Sequence, residues 1–299
     1  EGSESETDAL VALTRKFSDG ATLFHSTRDK NTVREEVASA LAQFNEQFLR
    51  PSRSRREALL QQLGEGSLAE DDVPRDILTV LLSNRIDQDL DDDMILREVA
   101  FFMQAGSHSS ANALTHSFHE INEWCRRHPE DRARLLTDDH FLQRCVHESL
   151  RLHPASPVAW RTASEAFSLP DGTDVAEGDS VVIDLMSANL EAPLFGEDAE
   201  VFNPHRTVAA RIPPFGLSFG IGIHTCFGRD IAGGLGDAKT KGETPHLGTL
   251  TNLLKNLMQH DARPDPANPA VADAGTERPN WGSYPLMIGQ RTTHAGAAI

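Results

Sequence analysis

The fold of this chain is decided by one stretch of sequence, FGIGIHTCFG at residues 219–228. Gly220 and Gly222 allow the backbone to turn tightly and to approach a bound group closely, because glycine has no side chain to clash. A helix that begins at Cys226 would stabilise its thiolate, since the N-terminus of a helix carries partial positive charge. An arbitrary cysteine is more often a buried structural thiol, but this many specified neighbours make a chance match improbable.

The pattern resembles the haem-binding loop of the cytochrome P-450 family. The resemblance implies that Cys226 is the thiolate ligand of the iron in a b-type haem. It also implies that Phe219 packs beside the sulfur and that His224 donates a hydrogen bond to a haem propionate. Gly228 would let the following helix lie against the porphyrin. The other two glycines of the loop complete this part of the expected haem-contacting set.

A second motif lies upstream, where Glu148 and Arg151 stand at i and i+3 on one face of a predicted helix. The motif alone is weak, because a Glu-x-x-Arg occurs about once by chance in a chain of this length. Glu123 and Arg126 form a second match. The resemblance favours the first pair and implies that Arg206, in the segment FNPHR, joins it. We expect a buried, mutually neutralised network that fixes the cysteine loop; the alternative is an exposed ion pair of little energetic value.

Arg161 is a further candidate for contact with the cofactor. It follows the segment PVAW at residues 157–160. The resemblance implies that an arginine near this place reaches a haem propionate, and a guanidinium can grip a carboxylate through two hydrogen bonds. The alternative is an ordinary surface arginine.

The oxygen-binding side departs from the family pattern. Family members usually carry Ala/Gly-Gly-x-Asp/Glu-Thr-Thr in a long helix, whereas this chain has AGSHSS at residues 105–110. The resemblance implies that Gly106 leaves room for dioxygen and that the Ser109 hydroxyl stands where the family has its catalytic threonine. His108 replaces the acid. It could relay protons near neutral pH, or it could face solvent and leave the proton path impaired.

Hydrophobic periodicity predicts helices in the first half of the chain. They are expected at 32–49, from Pro51, from Pro74, at about 91–125 and at about 138–152. The glycine and serines in the middle of the long helix are poor helix formers, so that part must be compensated or locally opened. The phase of this helix predicts a substrate pocket lined by Phe101, Phe102 and Ala105.

Short apolar runs separated by glycine turns predict hairpin strands between 158 and 186. A loop-rich stretch at 187–225 and a helix near Cys226 should follow. Glycines and polar residues at 233–244 are expected to interrupt that helix, a second helix to occupy 250–259, and the tail 261–279 to be loop. The fold class is therefore mainly α with a small β portion.

Composition excludes several other classes of protein. The net charge of −17 makes nucleic acid and anionic lipid unlikely partners. No run reaches the roughly 20 apolar residues of a membrane span. Three cysteines provide no disulfide framework and indicate a reducing compartment, here the cytoplasm. No zinc-site spacing and no glycine-rich dinucleotide fingerprint occurs, so no flavin or nicotinamide domain is expected.

The resemblance implies a cytochrome P-450 fold that lacks its N-terminal part, in one haem-thiolate domain at 1–299. Residues 1–74 would be the helices that roof the substrate pocket, and 75–299 the haem-binding core. Haem b would lie between the long helix and the cysteine loop. The expected reaction inserts one oxygen atom from dioxygen into a small hydrophobic substrate. Electrons would come from NAD(P)H through a separate reductase and a ferredoxin, as in soluble bacterial members. Peroxide-driven or isomerising chemistry and a non-catalytic haem-binding remnant are the alternatives.

Overall fold

The computed structural model describes residues 3–235 and 246–289. Helices dominate and short strands supply a small β portion, which confirms the predicted fold class. The helices are α1 (Glu4–Ala21), α2 (Lys30–Phe44), α3 (Arg50–Gly64), α4 (Ile77–Ser83), α5 (Asp92–Arg127), α6 (Pro129–Thr137), α7 (Asp139–Leu152), α8 (Leu185–Asn189), α9 (Ala192–Phe195), α10 (Arg229–Gly233) and α11 (Thr249–Gln259). The strands are β1 (Val158–Thr162), β2 (Phe167–Ser168), β3 (Asp174–Val175), β4 (Ser180–Asp184), β5 (Arg263–Pro264), β6 (Val271–Ala272), β7 (Trp281–Ser283) and β8 (Leu286–Met287).

The chain divides into two compact units, and the boundary falls inside α5. Of the described residues, the first unit contains those up to Ser109 together with Ala272–Asn280, and the second contains those from Ser110 to Val271 and those from Trp281 onward. The proposed division into roof helices and haem-binding core at 74/75 follows a different criterion and stays a prediction.

The first unit is built from amphipathic helices around one apolar core. Ser3 caps α1 reciprocally with Glu6, so both ends of this capping box satisfy a free backbone donor. The helix predicted at 32–49 begins at Lys30 and passes through a π-helical segment, Asn45–Leu49, directly into α3. Pro51 therefore lies in the first turn of α3 but does not start a separate helix. The buried core comprises Leu13, Phe17, Ala40, Phe44, Leu49, Leu78, Ile95 and Ala100.

The predicted helix start at Pro74 is wrong by three residues. Helix α4 begins at Ile77, because the Asp76 side chain accepts a hydrogen bond from the backbone N–H of Thr79 and caps the helix there. Arg56 of α3 donates to Asp76 as well, at 2.9 Å, which ties the cap to the neighbouring helix.

Helix α5 is the longest helix in the described residues and matches the predicted span of about 91–125. It is helical throughout, so the alternative of a local opening in its middle is wrong. Ser107 and Ser109 turn their hydroxyls back onto the helix, where they donate to the carbonyls of Met103 and Ala105 at 2.7 and 2.6 Å. This satisfies the polar side chains that would otherwise compete with the helical backbone.

The second unit has its core around α7. Side chains of α7, of the second half of α5 and of α11 form one buried cluster that includes Phe118, Ile121, Phe141, Leu142, Val146, Leu250 and Leu254. Helix α7 begins one residue after its predicted start, with Asp138 as the cap. Helix α6, which the sequence analysis missed, precedes it and begins at a proline.

Strands β1 to β4 lie within residues 158–186, where short apolar runs separated by glycine turns predicted strands. β1 pairs antiparallel with β4, with Trp160 opposite Val182, and β2 pairs antiparallel with β3. The tail predicted as loop contains strand β5, which pairs antiparallel with β8. The loop-rich stretch likewise contains α8 and α9. Segments this short carry too few residues for a periodic signal.

Candidate haem site and its supporting network

The cysteine loop turns back on itself and presents Cys226 at its end. The backbone N–H of Cys226 donates to the carbonyl of Phe219 at 2.8 Å, which closes the loop. Gly220 and Gly222 both adopt φ of +66°, a conformation that residues with a side chain rarely take. A Cβ on Gly220 would also stand 3.1 Å from the carbonyl oxygen of His224. Both glycines are therefore required by the turn itself.

Cys226 is the exposed member of the three cysteines, and the other two are buried. Burial raises the pKa of the Cys125 thiol to about 11 and raises the pKa of Cys145 well above its ordinary value. Both buried thiols are therefore protonated at neutral pH, and their burial keeps them from ligating an iron. Cys226 is therefore the thiol that a bound group can contact without a change in the fold.

Several side chains that flank Cys226 in the sequence are apolar and open to solvent. Ile223 is 94% exposed and Phe227 is 98% exposed, and Ile221 and Ile231 are more than half exposed. A Cβ added at Gly228 would touch the Cys226 sulfur at 3.8 Å and nothing else within 4 Å. Large apolar side chains in the open mark a surface that a ligand or partner covers. One accessible thiol within an apolar surface fits a large, flat, apolar macrocycle that takes a sulfur ligand.

Phe219 anchors the other end of the loop. Its ring stands at right angles to that of Phe215, 5.0 Å between centroids, and packs against the core of the second unit. A Cβ on Gly233 would lie 3.2 Å from the Phe219 ring, so Gly233 is small because α10 passes close to the ring. The structure thus places Phe219 between the loop and the core. Its expected contact with the sulfur stays a prediction.

Glu148, Arg151 and Arg206 are brought together in the interior. Arg151 is fully buried and grips the Glu148 carboxylate through two hydrogen bonds of 2.9 and 2.8 Å. Arg206 donates to the same carboxylate from the other side at 3.0 Å, and the backbone N–H of Asn203 donates to it at 3.1 Å. The competing pair, Glu123 and Arg126, has side chains that are 42% and 74% exposed. Burial therefore separates two motifs that look identical in sequence.

A second carboxylate, that of Asp198, balances the remaining charge. Arg206 donates to Asp198 at 2.6 Å and to the backbone carbonyls of Phe195, Asp198 and Val201. Although burial opposes the charge of Arg206, its hydrogen bonds to Asp198 and Glu148 raise the pKa of its guanidinium. The network thus contains two carboxylates and two guanidinium groups, and mutual neutralisation makes this burial tolerable.

The network is joined to the cysteine loop through Asn189, which the sequence analysis missed. Arg151 donates to the Asn189 carbonyl at 2.7 Å, and the Asn189 amide donates to the Arg151 carbonyl and to Ser218 Oγ, both at 3.0 Å. The Asn189 side-chain oxygen accepts from the backbone N–H of Leu217 at 2.7 Å. Ser218 immediately precedes the loop and donates to the carbonyl of Leu150 at 2.6 Å. The orientation of the loop is therefore set by buried hydrogen bonds behind it.

Two further side chains of α7 hold the chain just after the cysteine. His147 Nε2 donates to the carbonyl of Gly233 at 2.7 Å, and the Gln143 amide donates to the same oxygen at 3.2 Å. Helix α10 ends there, because Gly234 has φ of +74°. The predicted interruption is thus present at Gly233 and Gly234, and its remainder at 236–244 lies outside the described residues. The helix begins at Arg229, three residues beyond the cysteine.

The two candidate partners of the propionates lie at the surface. Arg161 is exposed on β1 and donates to the carbonyl of Trp160 at 2.7 Å. His224 is exposed at the end of the short 3₁₀ turn Gly222–His224. Both side chains stand in the second unit, as Cys226 does. Their contact with a haem carboxylate stays a prediction.

The candidate oxygen-side residues belong to the first unit. Gly106 is exposed, and open space surrounds the position where its Cβ would be. The Ser109 hydroxyl donates to the carbonyl of Ala105. His108 is half-buried and its Nε2 lies 2.9 Å from a guanidinium nitrogen of Arg278. Its role in a proton relay stays a prediction.

The three residues predicted to line a substrate pocket have different surroundings. Phe101 is largely exposed, Ala105 is half-buried, and Phe102 lines an apolar cleft with residues of α3 and α4, such as Leu60 and Leu81. Their role toward a substrate stays a prediction.

A family model described as Cytochrome P450 matches residues 16–233, more than half of the chain. The chain belongs to the cytochrome P450 family. Membership confirms the resemblance and identifies haem b, bound through a cysteine thiolate, as the cofactor of the family fold.

Relatives and solved structures agree with this. Human cytochrome P450 4F11 is 29% identical over 52% of this chain, and mycinamicin VIII C21 methyl hydroxylase of Micromonospora griseorubida is 31% identical over 46%. The crystal structure of CalO2 superposes with a TM-score of 0.68 at 18% identity and covers 93% of this chain. CYP154A1 from Streptomyces coelicolor A3(2) gives 0.65 at 21% identity over 96%.

This P450 chain corresponds to a part of its relatives. It spans 34% and 33% of the two curated proteins, and 60% and 61% of the two solved chains. Among the residues that the structure describes, every helix is too short or too polar to cross a membrane.

Proposed function

We propose that this chain forms the haem-thiolate part of a monooxygenase that inserts one oxygen atom from dioxygen into a small hydrophobic organic substrate. The observation that carries the proposal is the setting of Cys226, an exposed thiol on an apolar surface whose loop is fixed from behind by a buried ionic network. A thiol held in this way is preorganised as a metal ligand, since little ordering remains to be done on binding.

The residues of the cysteine loop would bind the haem. Cys226 would ligate the iron, and Gly220, Gly222 and Gly228 would let the backbone come close to the ring. Haem b, when bound, supplies a redox-active iron whose thiolate ligand favours cleavage of the O–O bond. The remaining assignments place Arg161 and His224 at the propionates.

On the oxygen side, the chain contributes hydroxyl and imidazole groups. Ser109 would supply a hydroxyl donor once its bond to the Ala105 carbonyl is exchanged for one to a ligand, a rotation about χ1 alone. Phe101, Phe102 and Ala105 would contribute apolar surface to the substrate side.

The electrons are proposed to come from NAD(P)H through a separate reductase and a ferredoxin, as in soluble bacterial members of the family. We place the protein in the cytoplasm, because Cys125, Cys145 and Cys226 are all free thiols. The relative from Micromonospora griseorubida is, by its name, a hydroxylase of the C21 methyl group of mycinamicin VIII, which supports the proposal of a small organic substrate.

The test is the carbon monoxide difference spectrum of the reduced, haem-loaded chain. Cys226→Ala is the test variant, and Cys125→Ala is the matched control, because it removes a thiol that is buried. We expect a strongly red-shifted Soret band in the parent chain and the control, and its loss in Cys226→Ala. A band at the ordinary position in the parent chain, or one that survives in Cys226→Ala, would refute thiolate ligation.

The second measurement follows turnover. Product formation coupled to NAD(P)H in the presence of ferredoxin and its reductase supports monooxygenation. Turnover that requires added peroxide and gains nothing from the redox partners would refute the electron-transfer part and favour peroxide-driven oxidation. A normal Soret shift without either turnover would favour the non-catalytic alternative.

A further inference from the structure

A buried arginine from the C-terminal part of the chain contacts the histidine that replaces the family's acid. Arg278 is 8% exposed, and its Nη2 lies 2.9 Å from Nε2 of His108 on α5. The two residues are 170 positions apart in sequence, and both belong to the first unit. No sequence pattern around Arg278 points to this contact.

The backbone fixes the segment that carries Arg278. Thr27 donates through its hydroxyl to the Ala274 carbonyl at 2.7 Å, and through its N–H to the Gly275 carbonyl at 3.2 Å. The N–H of Glu277 donates to the carbonyl of His25 at 2.8 Å. The backbone that precedes Arg278 is therefore held in place by contacts within the first unit.

The donor inventory fixes which nitrogen of His108 carries the proton. A guanidinium has five donors and no acceptor, and it stays protonated in proteins. Nε2 of His108 must therefore accept the hydrogen bond, which places the ring proton on Nδ1. Protonating His108 would break this bond and bring two cations into contact.

We propose that Arg278 positions His108 as the neutral tautomer with its proton on Nδ1, so that the ring keeps one protonation state at a pH where an ordinary histidine would titrate. Its relevance to oxygen activation rests on the proposed function, whereas the tautomer and its cause do not. Arg278 is thus a positioning residue, and it opposes any proton relay that would pass through a fully protonated His108 ring.

The charges around the pair support a neutral ring. Burial lowers the pKa of His108, and the positive charge of Arg278 lowers it further, against the opposing effects of Asp19 and Asp273. His25 has a pKa that burial and then Arg278 lower in the same way, while Glu277 opposes the shift. The cation of Arg278 thus disfavours a second positive charge on both imidazoles.

The experiment is nitrogen-15 NMR of histidine in the full chain without haem, recorded across a pH titration. The chain has 13 histidines, so His108→Asn is needed to assign the resonance. Arg278→Met removes the cation, and Arg278→Lys retains a charged donor. Arg97→Met is the matched control, because Arg97 is an exposed cation on the same helix that pairs with Asp93.

We expect His108 in the parent chain to carry its proton on Nδ1 and to stay neutral below pH ~6.5, where an ordinary histidine titrates. Arg278→Met should raise its apparent pKa, Arg278→Lys should restore the parent behaviour, and Arg97→Met should leave it unchanged. A proton on Nε2 in the parent chain, ordinary titration there, or equal shifts in the methionine variants would each overturn the proposal.

This design separates the inference from the proposed function. If Arg278→Met fails to fold, as judged by circular dichroism, the proposal is still tested by the tautomer of His108 in the parent chain and by the titration of His108 in Arg278→Lys. A missing thiolate Soret band would refute the monooxygenase proposal and leave the assignment of the His108 tautomer intact. A proton on Nε2 of His108 would refute this inference and leave the proposal of haem ligation intact.

Discussion

Replacing Glu148 by glutamine tests whether the buried network holds the second unit together. The Glu148 carboxylate accepts four hydrogen bonds, two from Arg151, one from Arg206 and one from the N–H of Asn203. An amide in its place carries no charge, and its NH₂ group would face a guanidinium that also needs an acceptor. Breaking a buried ion pair from one side costs about 4 kcal/mol.

The assay is urea denaturation followed by tryptophan fluorescence. Trp124, Trp160 and Trp281 all belong to the second unit, so the signal reports on the unit that contains the network. With an m-value of about 2 kcal/mol per M, a loss of about 4 kcal/mol lowers the urea midpoint by about 2 M. The slope should stay unchanged, because the surface exposed on unfolding is the same.

The chain carries its own control for this prediction. Glu123→Gln disrupts a pair with the same Glu-x-x-Arg spacing, but its partner Arg126 is 74% exposed. Exposed pairs at this helical spacing contribute about 0.5 kcal/mol or less, so the midpoint should move by about 0.3 M at most. Similar midpoint shifts in Glu148→Gln and Glu123→Gln would refute the argument that burial distinguishes the two motifs.

Three further predictions concern the loop and a nearby acid. Asn189→Ala should leave the Leu217 N–H without its acceptor, at about 1–3 kcal/mol, and should speed hydrogen exchange in the cysteine loop, measured by mass spectrometry. Gly220→Ala should cost about 1–2 kcal/mol, because φ is positive there, and should weaken haem affinity measured by Soret titration. Although burial opposes ionisation of Glu120, its hydrogen bond from His153 lowers its pKa below 4.5. The parent chain should therefore exceed Glu120→Gln in urea midpoint above pH 4.5, and should lose that advantage as the pH falls through the lowered pKa.

Local patterns predicted the parts of the structure that depend on local physics. The cysteine loop could be predicted from the sequence because tight turns require glycine at fixed positions, as the φ values of Gly220 and Gly222 confirm. Helix α5 could be predicted because its 36 residues give many repeats of the apolar period. The sequence did not predict helices α8 and α9 or the exact start of α4, because one or two helical turns give almost no periodicity and the capping residues decide where a short helix begins.

Contacts between residues far apart in the chain could not be predicted from the sequence. Nothing near Asn189 indicates that its amide meets Arg151 and Ser218, because that meeting depends on how α8 packs beside α7. The sequence gives no sign of the contact between Arg278 and His108 either, because an arginine in a proline- and aspartate-rich tail has the pattern of a surface residue. The serines of α5 illustrate the opposite error, since their low helix propensity suggested an opening that back-bonded hydroxyls make unnecessary.

The two sides of the cysteine loop therefore differ in a way that bears on haem binding. Behind the loop, Asn189 and Ser218 tie it to a buried network in which each charge has a partner of opposite sign. In front, Ile223 and Phe227 remain exposed to water. Because the contacts to Asn189 and Ser218 already fix the backbone, covering Ile223 and Phe227 costs little conformational entropy, and the removal of their apolar surface from water favours binding. A change behind the loop should consequently weaken haem binding even though it touches no atom of the ring.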